Sequence, residues 1–164
     1  MPSIRAATPA DIPLILDLIR ALATYEREPD AVKTTEADLL RDGFSEHPCF
    51  ECLIAETEDG KEPAGFALFF YNYSTWRGRP GIHLEDLFVL PRFRGQGIGK
   101  ALLARVAARA AERGCVRLQW DVLDWNQTAI DFYQGLGAQF LEQWRIMRVN
   151  DDAIHSLAAL EPVN

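Results

Sequence analysis

Between an apolar run and a helical pattern the chain reads Pro91-Arg92-Phe93-Arg94-Gly95-Gln96-Gly97-Ile98-Gly99-Lys100. Three alternating glycines and three cations meet at this junction. The glycines let a backbone approach a ligand closely, and the helix that follows opens with N–H groups that have no intrahelical partner. Helix N-termini of this kind suit anions, because free donors and the positive end of the dipole coincide. The stretch is not Gly-x-x-x-x-Gly-Lys-Ser/Thr. It also lacks the glycine spacing and the downstream ribose-binding acid of a dinucleotide fingerprint. From chemistry alone it is a phosphate-binding turn or an ordinary tight turn, and Arg92, Arg94 and Lys100 favour the first reading.

The rest of the chain supplies a sheet and helices around that junction. Ser3–Ala6 reads as a first strand. Thr8, Pro9 and Asp11 supply the cap, first-turn proline and capping-box acid of a helix running to about Arg27, with Ile12, Ile15, Leu16, Ile19, Leu22 and Ala23 as its apolar stripe. A short helix follows from Thr35 to Gly43. Phe50–Thr57 and Ala64–Tyr71 read as antiparallel strands joined by the polar loop from Glu58 to Pro63, and Trp76–Gly81 as a second loop. Ile82–Leu90 is apolar enough in its second half for a central strand. A helix from Ile98 to Arg113, a strand from Cys115 to Val122, a helix from Asn126 to Leu136, and a final hairpin of Ala138–Leu141 and Trp144–Val149 complete the pattern. Residues 1–150 are expected to form a single domain, with 151–164 as a tail carrying a short helix around Ile154–Leu160.

Charge narrows the partners. Against 17 Lys and Arg stand 24 Asp and Glu, a formal charge of -7 that discourages non-specific binding to nucleic acid or anionic membrane and welcomes a small cation. Acids concentrate between residues 11 and 62, whereas residues 92–117 hold seven bases against Glu112 alone. With three cysteines and no basic, apolar leader, a reducing cytoplasm is expected. Cys49-x-x-Cys52 reads as a pair of buried thiols beside a strand, and no metal site is expected.

Arg94-x-x-Gly97-x-Gly99, followed by the Asn126–Tyr133 helix, resembles the acetyl-CoA-binding elements of the GNAT superfamily of N-acetyltransferases. Tyr25-Glu26, Ser74-Thr75-Trp76-Arg77-Gly78, the run from His83 to Val89, and Trp125-Asn126 with Ala129–Tyr133 narrow the resemblance to the group acting on diamines (spermidine and spermine) and thialysine. That resemblance implies a mixed α/β fold, with a mostly antiparallel, splayed sheet flanked by helices. It also implies a homodimer and direct acetyl transfer from acetyl-CoA to an amine. On the same grounds Leu87, Phe88 and Val89 would meet the pantetheine arm and thioester, with backbone amides stabilising developing charge. Arg92, Arg94, Gly95, Gln96, Gly97, Ile98, Gly99 and Lys100 would hold the pyrophosphate, Asn126 the cofactor arm, and Tyr133 would protonate the departing thiolate.

An acceptor ammonium, with a pKa of about 10.4, must shed a proton before its nitrogen can attack. Glu85 is the leading base or anchor, directly or through water, with a buried structural carboxylate as its alternative. Asp86 is expected on the opposite strand face, as a further substrate contact or a structural group, and His83 shares the parity of Glu85. Tyr25 and Glu26 are candidate anchors for the distal cation, and Trp76 closes the pocket or packs at a dimer interface. Acceptor shape would depend on the loops 27–35 and 71–81. A free amino acid as acceptor would call on Arg77 or Arg79 for its carboxylate. A protein lysine, or CoA binding without catalysis, are the remaining alternatives.

Overall fold

The structure is a computed structural model describing residues 2–59 and 62–162. Gly60 and Lys61 of the expected hairpin loop, and the last two residues of the tail, lie outside the described residues. The chain divides into two compact units, Met1–Asp121 and Val122–Asn164.

In the first unit, strand β1 (Ser3–Ala6) leads into a one-turn 3-10 helix and then α1 (Ile12–Tyr25). One carboxylate organises this entry. Asp11 accepts from the main-chain N–H and the hydroxyl of Thr8 at 2.7 and 2.9 Å and takes both terminal nitrogens of Arg5 at 2.8 Å. Arg5 Nε donates to Glu56 at 2.7 Å, so β1 is tied both to the helix and to the neighbouring strand. The Arg5 guanidinium, foremost, holds the Asp11 carboxyl well below the usual carboxylate range. α1 ends at Tyr25, two residues short of expectation, and Arg27 takes a left-handed backbone with φ of 68°. Helix α2 (Glu36–Gly43) is opened by a reciprocal Thr35–Asp38 cap.

The sheet runs β1, β2 (Glu51–Glu56), β3 (Pro63–Ser74), β4 (Arg79–Val89) and β5 (Leu118–Gln119), antiparallel until the last, parallel pair. One face carries Ile54, Phe66, Leu68 and Phe88 against Ile12, Ile15 and Leu16 of α1 and Leu39 of α2. The other face meets α3 (Ile98–Glu112) through buried Leu102, Leu103 and Val106. With helices on both faces, β3 is buried almost continuously instead of alternating. This is the mixed, mostly antiparallel α/β architecture that the sequence implied.

Three expectations need correction. The loop expected at Trp76–Gly81 shrinks to a turn at residues 75–78, because β3 and β4 keep pairing out to Ser74 and Arg79. The strand expected from Cys115 to Val122 is two residues long, since only Leu118 and Gln119 find partners, Ile82 and His83, before the strands part. In the second unit, α4 (Gln127–Gly135) and α5 (Asp152–Ala158) form as helices. The hairpin expected over 138–149 does not: a bend with Trp144 N–H donating to Leu141 O replaces it, and no strand is assigned there. Aromatic and β-branched residues supply strand propensity, but a ladder also needs a neighbour to satisfy its backbone.

Candidate active site

The glycine-rich junction folds as a preformed cradle. Gly95 and Gly97 both lie in the left-handed region, at φ of 77° and 79°, and neither has an atom within 4 Å of where a Cβ would stand. Gly97 is the N-cap of α3 and offers no side chain to its first N–H groups. These donors, with Arg92, Arg94 and Lys100 beside them, fit a phosphate. Arg94 points back along the strand end: its Nε donates to Val89 O at 2.9 Å, and its guanidinium lies over the rings of Tyr25 and Phe88, at 4.4 and 5.4 Å from their centres. The cradle and the end of α1 are thereby in contact through one side chain.

Beyond the two residues paired with β5, β4 continues through Leu84–Val89 with strand pairing on its β3 side. Here the register slips. Leu84 opposes Phe69 and Asp86 opposes Leu68, which leaves Glu85 as the extra residue of a bulge. Strict alternation would put Asp86 on the face of Leu84. The bulge reverses the phase and turns Asp86 toward the α1 side, with Phe88 next on the same face. Glu85 and Asp86 therefore line one cleft, which corrects the expectation that they point to opposite faces.

That cleft has a volume of about 550 Å3. Its apolar wall is Ile19, Leu39, Phe50 and Leu68, and its polar rim includes Lys33, Asp38 and Asp42 besides the two β4 carboxylates. Burial, followed by the charges of Glu85 and Glu26, pushes the Asp86 carboxyl up to about 7. Glu26 is itself half-buried, and burial raises it too. Glu85 is the more exposed of the β4 pair, 3.6 Å from His83 Nε2. His83 stacks on Phe70 at 5.1 Å. Three carboxylates thus gather where Tyr25-Glu26 and Glu85-Asp86 meet.

Other expected residues fall elsewhere. Trp76, 89% exposed at the tip of the β3–β4 turn, does not line the cleft, nor do Arg77 and Arg79, and Tyr25 and Glu26 stand beside it without lining it. Of the expected thiol pair only Cys52 is buried, its thiol pushed up to about 12, burial being the main cause. Cys49 lies just before β2, exposed on the cleft wall. Lys33, Asp38 and Asp42 were not singled out in the sequence. The i,i+4 spacing of the two acids and the naming of loop 27–35 as acceptor-shaping were the available signals. Asn126 and Tyr133 belong to the second unit. Asn126 caps α4, its Oδ1 accepting from Ala129 N–H at 3.3 Å, and the Tyr133 ring packs against Phe132 at 5.2 Å.

A model of the acetyltransferase (GNAT) family matches residues 15–138. Among curated proteins, the chain is 44% identical to the thialysine N-epsilon-acetyltransferase of Bos taurus, over 94% of this chain and 96% of that one. It is 31% identical to the L-ornithine N5-acetyltransferase of Arabidopsis thaliana, over 96% and 88%. Among solved structures, an integron cassette protein from the mobile metagenome of V. cholerae superposes with a TM-score of 0.79 at 26% identity, covering 96% of this chain and 97% of that one.

Proposed function

The chain belongs to the acetyltransferase (GNAT) family, and from that premise we propose that it transfers an acetyl group from acetyl-CoA to a primary amine of a small cationic acceptor: a polyamine, a diamine or a thialysine-like amino acid. One observation carries the reading. An anion-binding glycine cradle and a cleft holding a carboxylate with a pKa near neutrality lie on the same strand, joined by Arg94 over Tyr25.

The cofactor supplies an activated acetyl thioester. This chain's residues do the remaining work. Gly95–Gly99 with Arg92, Arg94 and Lys100 would hold the pyrophosphate, and the backbone of Leu87, Phe88 and Val89 would orient the arm. The resemblance gives Asn126 a contact with the cofactor arm. Glu85 and Asp86 in the cleft, with Glu26 and Tyr25 at the end of α1, would draw the ammonium in, and a carboxylate would take its proton as the nitrogen becomes the nucleophile. Attack would release the coenzyme as a thiolate, and the resemblance gives its protonation to the phenol of Tyr133.

The test is acetyl-CoA-dependent release of CoA with spermidine, spermine, putrescine, thialysine, lysine and a basic peptide. Turnover of a small amine is expected, with Tyr133→Phe lowering kcat by about 100-fold. Saturable acetyl-CoA binding with no turnover of any amine would instead support a CoA-binding protein without catalysis.

We further propose a homodimer. Phe140, Leu141, Trp144, Ile146, Met147 and Val149 are all exposed, Met147 at 89%, an apolar segment that a second copy of the chain would cover. Sedimentation velocity should give twice the monomer mass at micromolar concentration, and a monomer there refutes the dimer.

A further inference from the structure

We infer that Lys33 reads a carboxylate on the acceptor, so that this cleft prefers a diamino acid to a polyamine of the same reach; the inference rests on the acetyl-transfer reading above. The cleft's charges are not evenly distributed. Asp38 and Asp42 are both engaged by Arg41, which reaches Asp38 Oδ1 at 2.9 Å and the two oxygens of Asp42 at 2.8 and 2.6 Å. Their demand for a second ammonium is therefore largely met from within the protein. Glu85 and Asp86 have no such arginine among the described residues, and they mark the place for one acceptor cation.

Lys33 is the cation that lines this cleft. Among the described residues its Nζ donates to the main-chain oxygen of Asp30 at 3.1 Å and pairs with no carboxylate. An ammonium carries three donors, so two remain for an incoming anion. Ile19, Leu39, Phe50 and Leu68 supply the apolar wall that a methylene chain would follow. A cation site, an apolar run and an anion site match a molecule with an ammonium at one end and a carboxylate at the other. The same Lys33 repels the far ammonium of a polyamine, whereas the α-ammonium of a diamino acid arrives with a carboxylate on the same carbon that offsets the repulsion. Arg77 and Arg79, the carboxylate receptors considered from the sequence, line no part of the cleft.

The test compares L-lysine with cadaverine, and thialysine with its decarboxylated diamine, in wild type, Lys33→Met and Lys33→Arg. Lys33 is exposed, so neither variant threatens the fold. The ratio of kcat/KM for the amino acid to that for its diamine should exceed one in wild type. In Lys33→Met it should fall about 10- to 100-fold, mainly through KM, and in Lys33→Arg it should be largely restored. A wild-type preference for the diamine, or a ratio unchanged in Lys33→Met, overturns the inference. Calorimetric binding of lysine and cadaverine to wild type and Lys33→Met gives a readout without turnover. Loss of lysine affinity in Lys33→Met supports the carboxylate role even if no acceptor is acetylated, a result that would sink the transfer reading alone. Equal losses for both ligands overturn the carboxylate role.

Discussion

Asp86→Asn should lower kcat at saturating acceptor by two to three orders of magnitude and abolish the rise of kcat with pH through about 7. At pH 7 roughly one amine molecule in 2,500 is unprotonated in water, given an ammonium pKa of about 10.4, so unaided attack is slow. A carboxylate titrating near 7 is ionised often enough to accept the proton and basic enough to do so effectively, which general-base catalysis rewards by about 10²- to 10⁴-fold. Asparagine keeps the shape and cannot take the proton. Glu85→Gln, at the more exposed position, should cost less and leave the inflection in place. Persistence of the inflection in Asp86→Asn would move the base role to another group.

The same substitution has a stability readout of opposite sign. The folded-state pKa of Asp86 lies above its unfolded value, so the native state binds the extra proton. Its contribution is fully present below pH 3.8 and is lost as pH rises through about 7. Above that, ionised Asp86 opposes folding by up to about 4 kcal/mol. Asp86→Asn should therefore raise Tm at pH 8 and leave it little changed at pH 3. A structural carboxylate held by hydrogen bonds would behave the other way, losing Tm at pH 8 on replacement.

What the sequence revealed and what it concealed divide along physical lines. β1, α1, α2 and α3 were legible because their signals are local: the Thr8 and Thr35 caps, the spacing of Ile12, Ile15 and Leu16, and glycines that only a special backbone demands. The bulge at Glu85 was not, because it is a fact of register. Nothing in His-Leu-Glu-Asp-Leu marks which residue β3 will leave unopposed, yet that choice brings Asp86 into the cleft. The fates of β5 and of residues 138–149 also depend on partners: Leu118 and Gln119 pair, whereas the apolar-rich Trp144–Val149 has no paired strand in its own unit. The role of Lys33 is illegible in the sequence for a related reason. A lone lysine in a polar loop gains meaning only when Glu85, Asp86 and Leu68, distant in sequence, are placed around the same space.

Gly65→Ala should be the most damaging single-methyl change, costing about 3 kcal/mol or more. Gly65 opposes Val89 across the β3–β4 pair, and an added Cβ would overlap the Phe88 carbonyl oxygen while standing 3.1 Å from Val89 Cα. Both are backbone atoms, so no rotamer relieves the contact and the two strands must separate. They would part where Val89 O meets Arg94 and where β4 delivers the chain into the glycine cradle. Gly97→Ala is the instructive contrast: φ is 79° but nothing lies within 4 Å, so the penalty is backbone strain of about 1 to 2 kcal/mol without a clash. Urea denaturation should show the larger loss for Gly65→Ala. Acetyl-CoA binding, measured on the fraction that remains folded, should weaken in Gly97→Ala as well, because a strained cap misdirects the N–H groups of α3. If Gly65→Ala unfolds at the wild-type urea concentration, the strands tolerate a separation that their paired register denies, and the close approach of β3 to β4 has no energetic role in holding the cradle.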